Sequence, residues 1–131
     1  MSDFTVYTAL EIVEWLSQGT IDAAPSNIYV GLHDDTESEV STDFLNDRVE
    51  TTAGSDWNVN QTSFTNANTI DFGEALNDVS NIQFVSLNDA ATGGNQLAFY
   101  ELSGAPFSIS SGSTASFPAG ELSFDVIDRS Q

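Results

Sequence analysis

The chain contains no cysteine and no lysine. Without cysteine there is no disulfide, no thiolate nucleophile and no cysteine-ligated zinc or iron–sulfur site. Histidine occurs once, as His33, which excludes a histidine-rich metal site and leaves a Ser-His-Asp triad a single candidate base. Cations are almost missing. Two arginines, Arg48 and Arg129, stand against twenty Asp and Glu, for a formal net charge of −18. Two arginines cannot displace the counterions of a phosphate backbone, so no nucleic-acid partner is expected. An anionic membrane surface repels such a chain. No apolar run approaches the roughly 20 residues needed to span a bilayer, and no basic, apolar signal peptide opens the sequence. No membrane partner is expected either.

What is present is enough to fold. Of 131 residues, 40% are apolar and nine are Phe, so low hydrophobicity does not force disorder. The length suits one domain spanning 1–131, burying roughly two thirds of the surface its unfolded chain exposes. The charge then needs an explanation, because self-repulsion at −18 opposes a compact state. At molar salt the screening length falls to about 3 Å and the repulsion fades. Twelve Asp against eight Glu and no Lys suit a protein that works in strong brine. The plainer alternative is an ordinary acidic domain or a calcium binder.

Periodicity divides the chain. Val6, Ala9, Leu10, Val13 and Leu16 recur at helical spacing and predict an amphipathic helix over about 5–18. Thr8 and Glu11 have capping-box spacing, Ser2 or Asp3 offers an earlier cap, and Gly19 is a natural stop. The stripe predicts a helix laid across its own sheet, with a docking element for a partner as the alternative. After Pro25 the period becomes two. Ile28, Val30 and Leu32 form one face of a strand over 27–33 with one buried face. Asp34 to Asn46 reads as a long acidic surface loop. Further strands are expected over about 57–61, 82–87, 96–102, 107–109, 115–117 and 122–126, with 47–52 as an optional short strand and turns at Gly54, Gly93-Gly94, Gly112 and Gly120. Short strands with turn signals every 8–12 residues predict an all-β fold. It is expected to be a jelly-roll-like β-sandwich of seven to eight strands with one N-terminal helix.

Catalytic constellations are poor. His33-Asp34-Asp35 puts a base beside carboxylates, but neighbours along a strand point to opposite faces. No nucleophile elbow accompanies them. His33 is expected at a surface or turn, and no enzyme activity is expected. The run Asp34 to Glu39 lacks the spacing of an EF-hand loop and reads as solvated, so no metal site is assigned. Gly93-Gly94 is not followed by Lys and is no phosphate loop. No cofactor is implied. Trp15, Trp57 and Tyr29 are candidates for a sugar-binding platform, against the commoner use of aromatics as core.

The order of these segments carries a resemblance. The helix ending in Ser17-Gln18-Gly19-Thr20 is followed by the strand Ile28-Tyr29-Val30-Gly31-Leu32-His33, an acidic loop, then Arg48. Asp89-Ala90-Ala91-Thr92-Gly93-Gly94-Asn95, Ser111-Gly112-Ser113 and Pro118-Ala119-Gly120-Glu121-Leu122 come later. From Phe4 to Val126 this resembles the small tail-fibre or minor virion proteins of tailed phages. The usual Gly-Tyr before the arginine is missing here, as are surface lysines. The resemblance implies a β-sandwich structural protein of a tailed virus, located in the virion at its outer surface or tail and assembled in the host cytoplasm. With the brine signature it suggests a virus of a halophilic archaeon. Expected partners are other virion proteins and further copies of the chain. The alternative is a carbohydrate-binding module that recognises a host surface glycan. The interface candidates are Val6, Leu10, Val13 and Leu16. Arg48 is the structural candidate, through a partly buried ion pair or carbonyl contact, with an exposed arginine as the alternative. Arg129 is expected in a frayed tail.

Overall fold

The computed structural model describes residues 3–20 and 24–126; Ser2 and Arg129 lie outside them. A short edge strand β1 (Asp3–Phe4) leads into helix α1 (Val6–Gln18). Then come β2 (Asn27–Asp34), a 3-10 turn at Ser41–Asp43, β3 (Val49–Thr52), β4 (Trp57–Asn60) and β5 (Ser63–Asn66). The chain continues through β6 (Ile70–Glu74), β7 (Val79–Asn88) and β8 (Gln96–Glu101), and closes with β9 (Phe107–Ile109), β10 (Thr114–Phe117) and β11 (Ser123–Asp125). β1, β5 and β6 add to the strands expected from periodicity, so the described residues form eleven strands, not seven to eight.

Every strand pairing is antiparallel. The main sheet runs β1-β8-β7-β2-β3, with β9 also paired to β7. The register sets Val30 opposite Leu87, Leu32 opposite Val85, and Val85 opposite Tyr100. One face of the sheet therefore carries a continuous apolar surface. The second layer is a three-stranded sheet, β11-β5-β4, and the pair β10-β6. Its Phe64, Phe72, Phe117 and Phe124 join the same core cluster. Tyr100 from the main sheet meets Phe124 from the other layer edge-on, with ring centroids 4.6 Å apart. The described residues form an all-β, sandwich-like fold with one α-helix, as the strand pattern predicts.

Two strand-level expectations are corrected. β2 is buried on both faces from Val30 to His33, not on one. The acidic segment after it is not wholly a surface loop. It folds back, forms a bridge between His33 and Glu39, and buries Ser41 and Phe44. That segment supplies the second cover over β2.

The helix starts at Thr5, whose Oγ1 accepts from the Thr8 N–H. Gly19 ends it in the left-handed conformation, its N–H donating to the Trp15 carbonyl. Thr5 and Thr8 also tie the helix to β8: Thr8 Oγ1 donates to the Leu97 carbonyl at 2.7 Å, and the Thr5 hydroxyl to the carbonyls of Gln96 and Leu97. These bonds fix the rotation of α1, and the rotation overturns the expected packing. The half-buried positions are Tyr7, Thr8, Glu11, Ile12 and Glu14. The aliphatic stripe points away from the sheet, and no helix residue is buried.

Candidate functional site

Two features stand out, an internal clip around Arg48 and the outward face of α1. The clip begins where β2 and β3 enter the main sheet. Arg48 Nε donates to Glu39 Oε2 at 2.9 Å and Nη2 to Glu39 Oε1 at 2.9 Å, a two-pronged pair. Nη1 donates to the carbonyls of Ala90 at 2.8 Å and Gly93 at 3.0 Å. Arg48 thus makes an ion pair and carbonyl contacts at once, with side-chain exposures of 12% for Arg48 and 28% for Glu39. The hydrogen bonds from Arg48 hold the Glu39 carboxyl below its ordinary pKa.

The turn that Arg48 grips is itself closed by Asp89, whose Oδ1 accepts from the Asn95 N–H at 2.7 Å. Gly94 has φ +70°, and a Cβ there would lie 2.5 Å from Asp89 Oδ1, so glycine is required twice over. One arginine therefore joins three segments distant in sequence: the acidic loop, the entry to β3 and the turn between β7 and β8.

Beneath the clip lies a buried polar network. His33 is not at a surface or turn, as the sequence suggested, but in the interior of β2. The ring packs edge-on against Phe99, with centroids 5.0 Å apart. His33 Nδ1 lies 3.1 Å from the Glu37 carbonyl, so Nδ1 carries the proton. Nε2 then accepts from the Ser86 hydroxyl at 2.8 Å, and Ser86 Oγ accepts from Asn88 Nδ2 at 2.9 Å. Burial lowers the pKa of His33 and favours the neutral ring. Gly31 lets these groups meet: a Cβ there would lie 2.8 Å from Ser86 Oγ and 2.9 Å from Glu39 Oε2. Ser41, Ser86 and Asn88 were not singled out by the sequence, and nothing in a strand's alternation separates a buried polar residue from an exposed one.

Apart from this network, the buried Asn66 clasps the segments around β5 and β10. Its Nδ2 donates to the carbonyls of Asn68, Phe117 and Pro118, and its Oδ1 accepts from the Leu122 N–H at 3.0 Å.

The outward face of α1 is the opposite kind of feature. Val6 is 84% exposed, Leu16 74%, Val13 56% and Leu10 53%. Ala9 and Ser17 lie with them, and no charged residue is among them. The three aromatics considered as a sugar platform are placed differently from one another. Trp57 packs against Phe64 and Phe124 in the core and donates to Thr51 Oγ1 at 3.0 Å. Trp15 is exposed on α1, and Tyr29 is half-buried. Among the described residues no cluster of His, Asp and Glu is arranged to hold a metal ion. No helix of the described residues is long and apolar enough to cross a membrane.

Against known proteins, a family model described as "Podophage GP4 fiber I protein gp80" matches residues 3–125. The chain belongs to this phage fibre family. It is a virion structural protein of the tail-fibre class. No curated protein matches the chain. Within this fibre family member, the match spans every described element, from β1 to β11.

Proposed function

We propose that this protein is a non-enzymatic fibre subunit, held in the virion by self-association and by docking to other virion proteins. The observation that carries the reading is the inverted helix in a member of a fibre family. A helix that caps its own core turns its aliphatic side inward. Here Glu11 and Glu14 lie on the half-buried side with Ile12 while Val6, Leu10, Val13 and Leu16 face out, an arrangement suited to a neighbour. The non-enzymatic part rests on the His33–Ser86 pair. Ser86 is 0% exposed and its hydroxyl is already shared between His33 and Asn88, so a substrate has no path to it.

The net charge of −18 without lysine supports a virus of a salt-loving host, an archaeon, whose particles persist in brine. A host-glycan role has weaker support, because Trp57 is committed to the core.

Purified particles test the reading. Mass spectrometry is expected to find the chain, and a cryo-EM map to place it in the tail or on the surface. Absence from the particle, or a total burial against neighbours below about 800 Å², overturns it.

A further inference from the structure

We propose that the outward stripe of α1 is the contact between copies of this chain, with Val6, Ala9, Leu10, Val13 and Leu16 packing on the same stripe of a second copy. The inference deepens the assembly reading above and rests on it for its setting.

Three observations select a second copy as the occupant. The first is the fixed orientation of the helix. Thr5 and Thr8 bind it to the Gln96 and Leu97 carbonyls, so α1 cannot roll its aliphatics inward without breaking those bonds. The second is spacing. Val6, Ala9, Val13 and Leu16 follow one another by three, four and three residues, the seam of two heptads, with a β-branched residue at each first position. Such a seam packs well on another helix carrying the same repeat, and α1 of a second copy supplies one. The third is charge. The chain carries −18, and two copies brought together on most faces would set carboxylate against carboxylate. The stripe is free of charge, and the helix's own Glu11 and Glu14 lie on its other side. It is a face on which identical subunits meet without that penalty. A basic partner would be drawn to the acidic faces instead.

The seam is short. Thirteen residues at about 1.5 Å each make a contact about 20 Å long, and one helix pair of that length is a small contact beside a standard interface, which buries about 1,200 Å² or more. Association through it is therefore weak in the isolated protein and rises with salt, as screening removes the repulsion between the bodies.

The test uses the absence of cysteine, because each variant then carries a single thiol. Leu10→Cys and Val13→Cys lie near the middle of the stripe, and Ala119→Cys is an exposed control far along the chain. In molar salt the two helix variants are expected to oxidise to linked dimers at least about tenfold faster than the control, because association raises the effective thiol concentration. Leu10→Glu, an exposed position that leaves the fold intact by circular dichroism, is expected to raise the concentration for half-association by about 100-fold. Equal crosslinking rates for helix and control variants overturn the inference, and so does a Leu10→Glu protein that associates like the parent. Particle composition separates this from the fibre reading. A chain present in the particle but without helix crosslinking sinks only the contact, whereas a crosslinking chain absent from the particle sinks only the fibre role.

Discussion

The Arg48 clip and the face of α1 treat polar and apolar groups in opposite ways. At the clip, charged and polar side chains are drawn inside and each finds a partner; no buried side-chain polar atom among the described residues lacks one. On α1 the stripe Val6, Leu10, Val13 and Leu16 is left outside while two glutamates lie with Ile12 on the half-buried side. Burying charge is costly unless geometry repays it, and exposing a run of aliphatics gains nothing in a lone subunit. The clip repays its cost within the chain, by joining three distant segments. The helix face has no return within the chain; under the assembly proposed above, its return lies with a neighbour. A polar cluster and an apolar stripe, judged only by residue type, would be assigned the reverse roles.

The largest effect expected concerns the field in which both regions sit. With −18 and two cations, the isolated protein is expected to gain on the order of 10 °C in melting temperature between dilute buffer and molar NaCl. The Arg48–Glu39 pair is weakened by salt much less, because it is partly buried. Thermal melts followed by circular dichroism across salt concentration decide this. A melting temperature that is flat or falls with salt would sink the brine reading.

Next in size is the clip itself. Arg48→Ala leaves Glu39 without its two guanidinium donors and frees the Ala90 and Gly93 carbonyls. A loss of about 2–4 kcal/mol is expected by urea unfolding in molar salt, discounted from a fully buried pair because Glu39 is partly wet. Arg48→Lys should restore less than half of it, since an ammonium cannot make the two-pronged contact. An unchanged midpoint for Arg48→Ala would reduce the clip to surface decoration and erase the contrast with α1.

The clip was only partly legible in the sequence, and the reasons are physical. Periodicity reports which residues share a face, and it placed α1 and most strands to within a few residues. It does not report what covers that face. So the stripe Val6 to Leu16 was readable as a stripe but its direction was not, because Thr5 and Thr8 set the direction by bonds to a strand some ninety residues away. The start of β7 was missed because Asn81 sits at φ +58° and the pairing with β9 shifts between Val79 and Ile82, which breaks the alternation. His33 was misplaced because its cover, the acidic segment, looks solvated by composition yet returns Glu39 and Ser41 to the sheet. Arg48 is readable as a structural candidate because one of two arginines among twenty carboxylates must lie near anions. Its second set of partners, the carbonyls of a turn, leaves no trace in residue type.

Gly31→Ala is a smaller probe of the same network. The added Cβ meets Ser86 Oγ and Glu39 Oε2 at under 3 Å, and the buried Ser86 cannot move without releasing His33 or Asn88. About 1–3 kcal/mol of destabilisation is expected. The same substitution at Gly19 would instead test helix termination and leave the network intact, which a comparison of the two melts can read.

Acid should undo the clip region in two stages. The folded pKa of His33 lies below its ordinary value of about 6.5, so the unfolded chain takes up the proton first. Stability is then full above about 6.5 and falls as pH drops from there toward the lowered folded value. Glu39 follows at lower pH. Its folded pKa is also depressed, so its contribution is present above its ordinary value of about 4.3 and is lost as pH falls through the folded value. His33→Gln should flatten the slope of unfolding midpoint against pH between 7.5 and 5.5 (about one unit either side of the ordinary histidine pKa), whatever it does to absolute stability. A slope that survives in His33→Gln assigns the titration elsewhere.

The smallest expected effect is on the helix, and its smallness is the point. Val13→Ala removes two methyl groups that already face water in the single chain. It exchanges a β-branched residue for the best helix former, a gain of up to about 0.5 kcal/mol. Measured at a concentration low enough to keep the protein monomeric, its stability should be unchanged or slightly raised. A buried valine would behave oppositely, losing about 1 kcal/mol or more with the cavity. Such a loss in dilute protein would mean that α1 rolls its stripe onto the sheet in solution, and the contrast between the two regions would collapse. A neutral result in the monomer, joined to weaker self-association of the same variant at high concentration, would locate the value of that side chain between subunits, not within one.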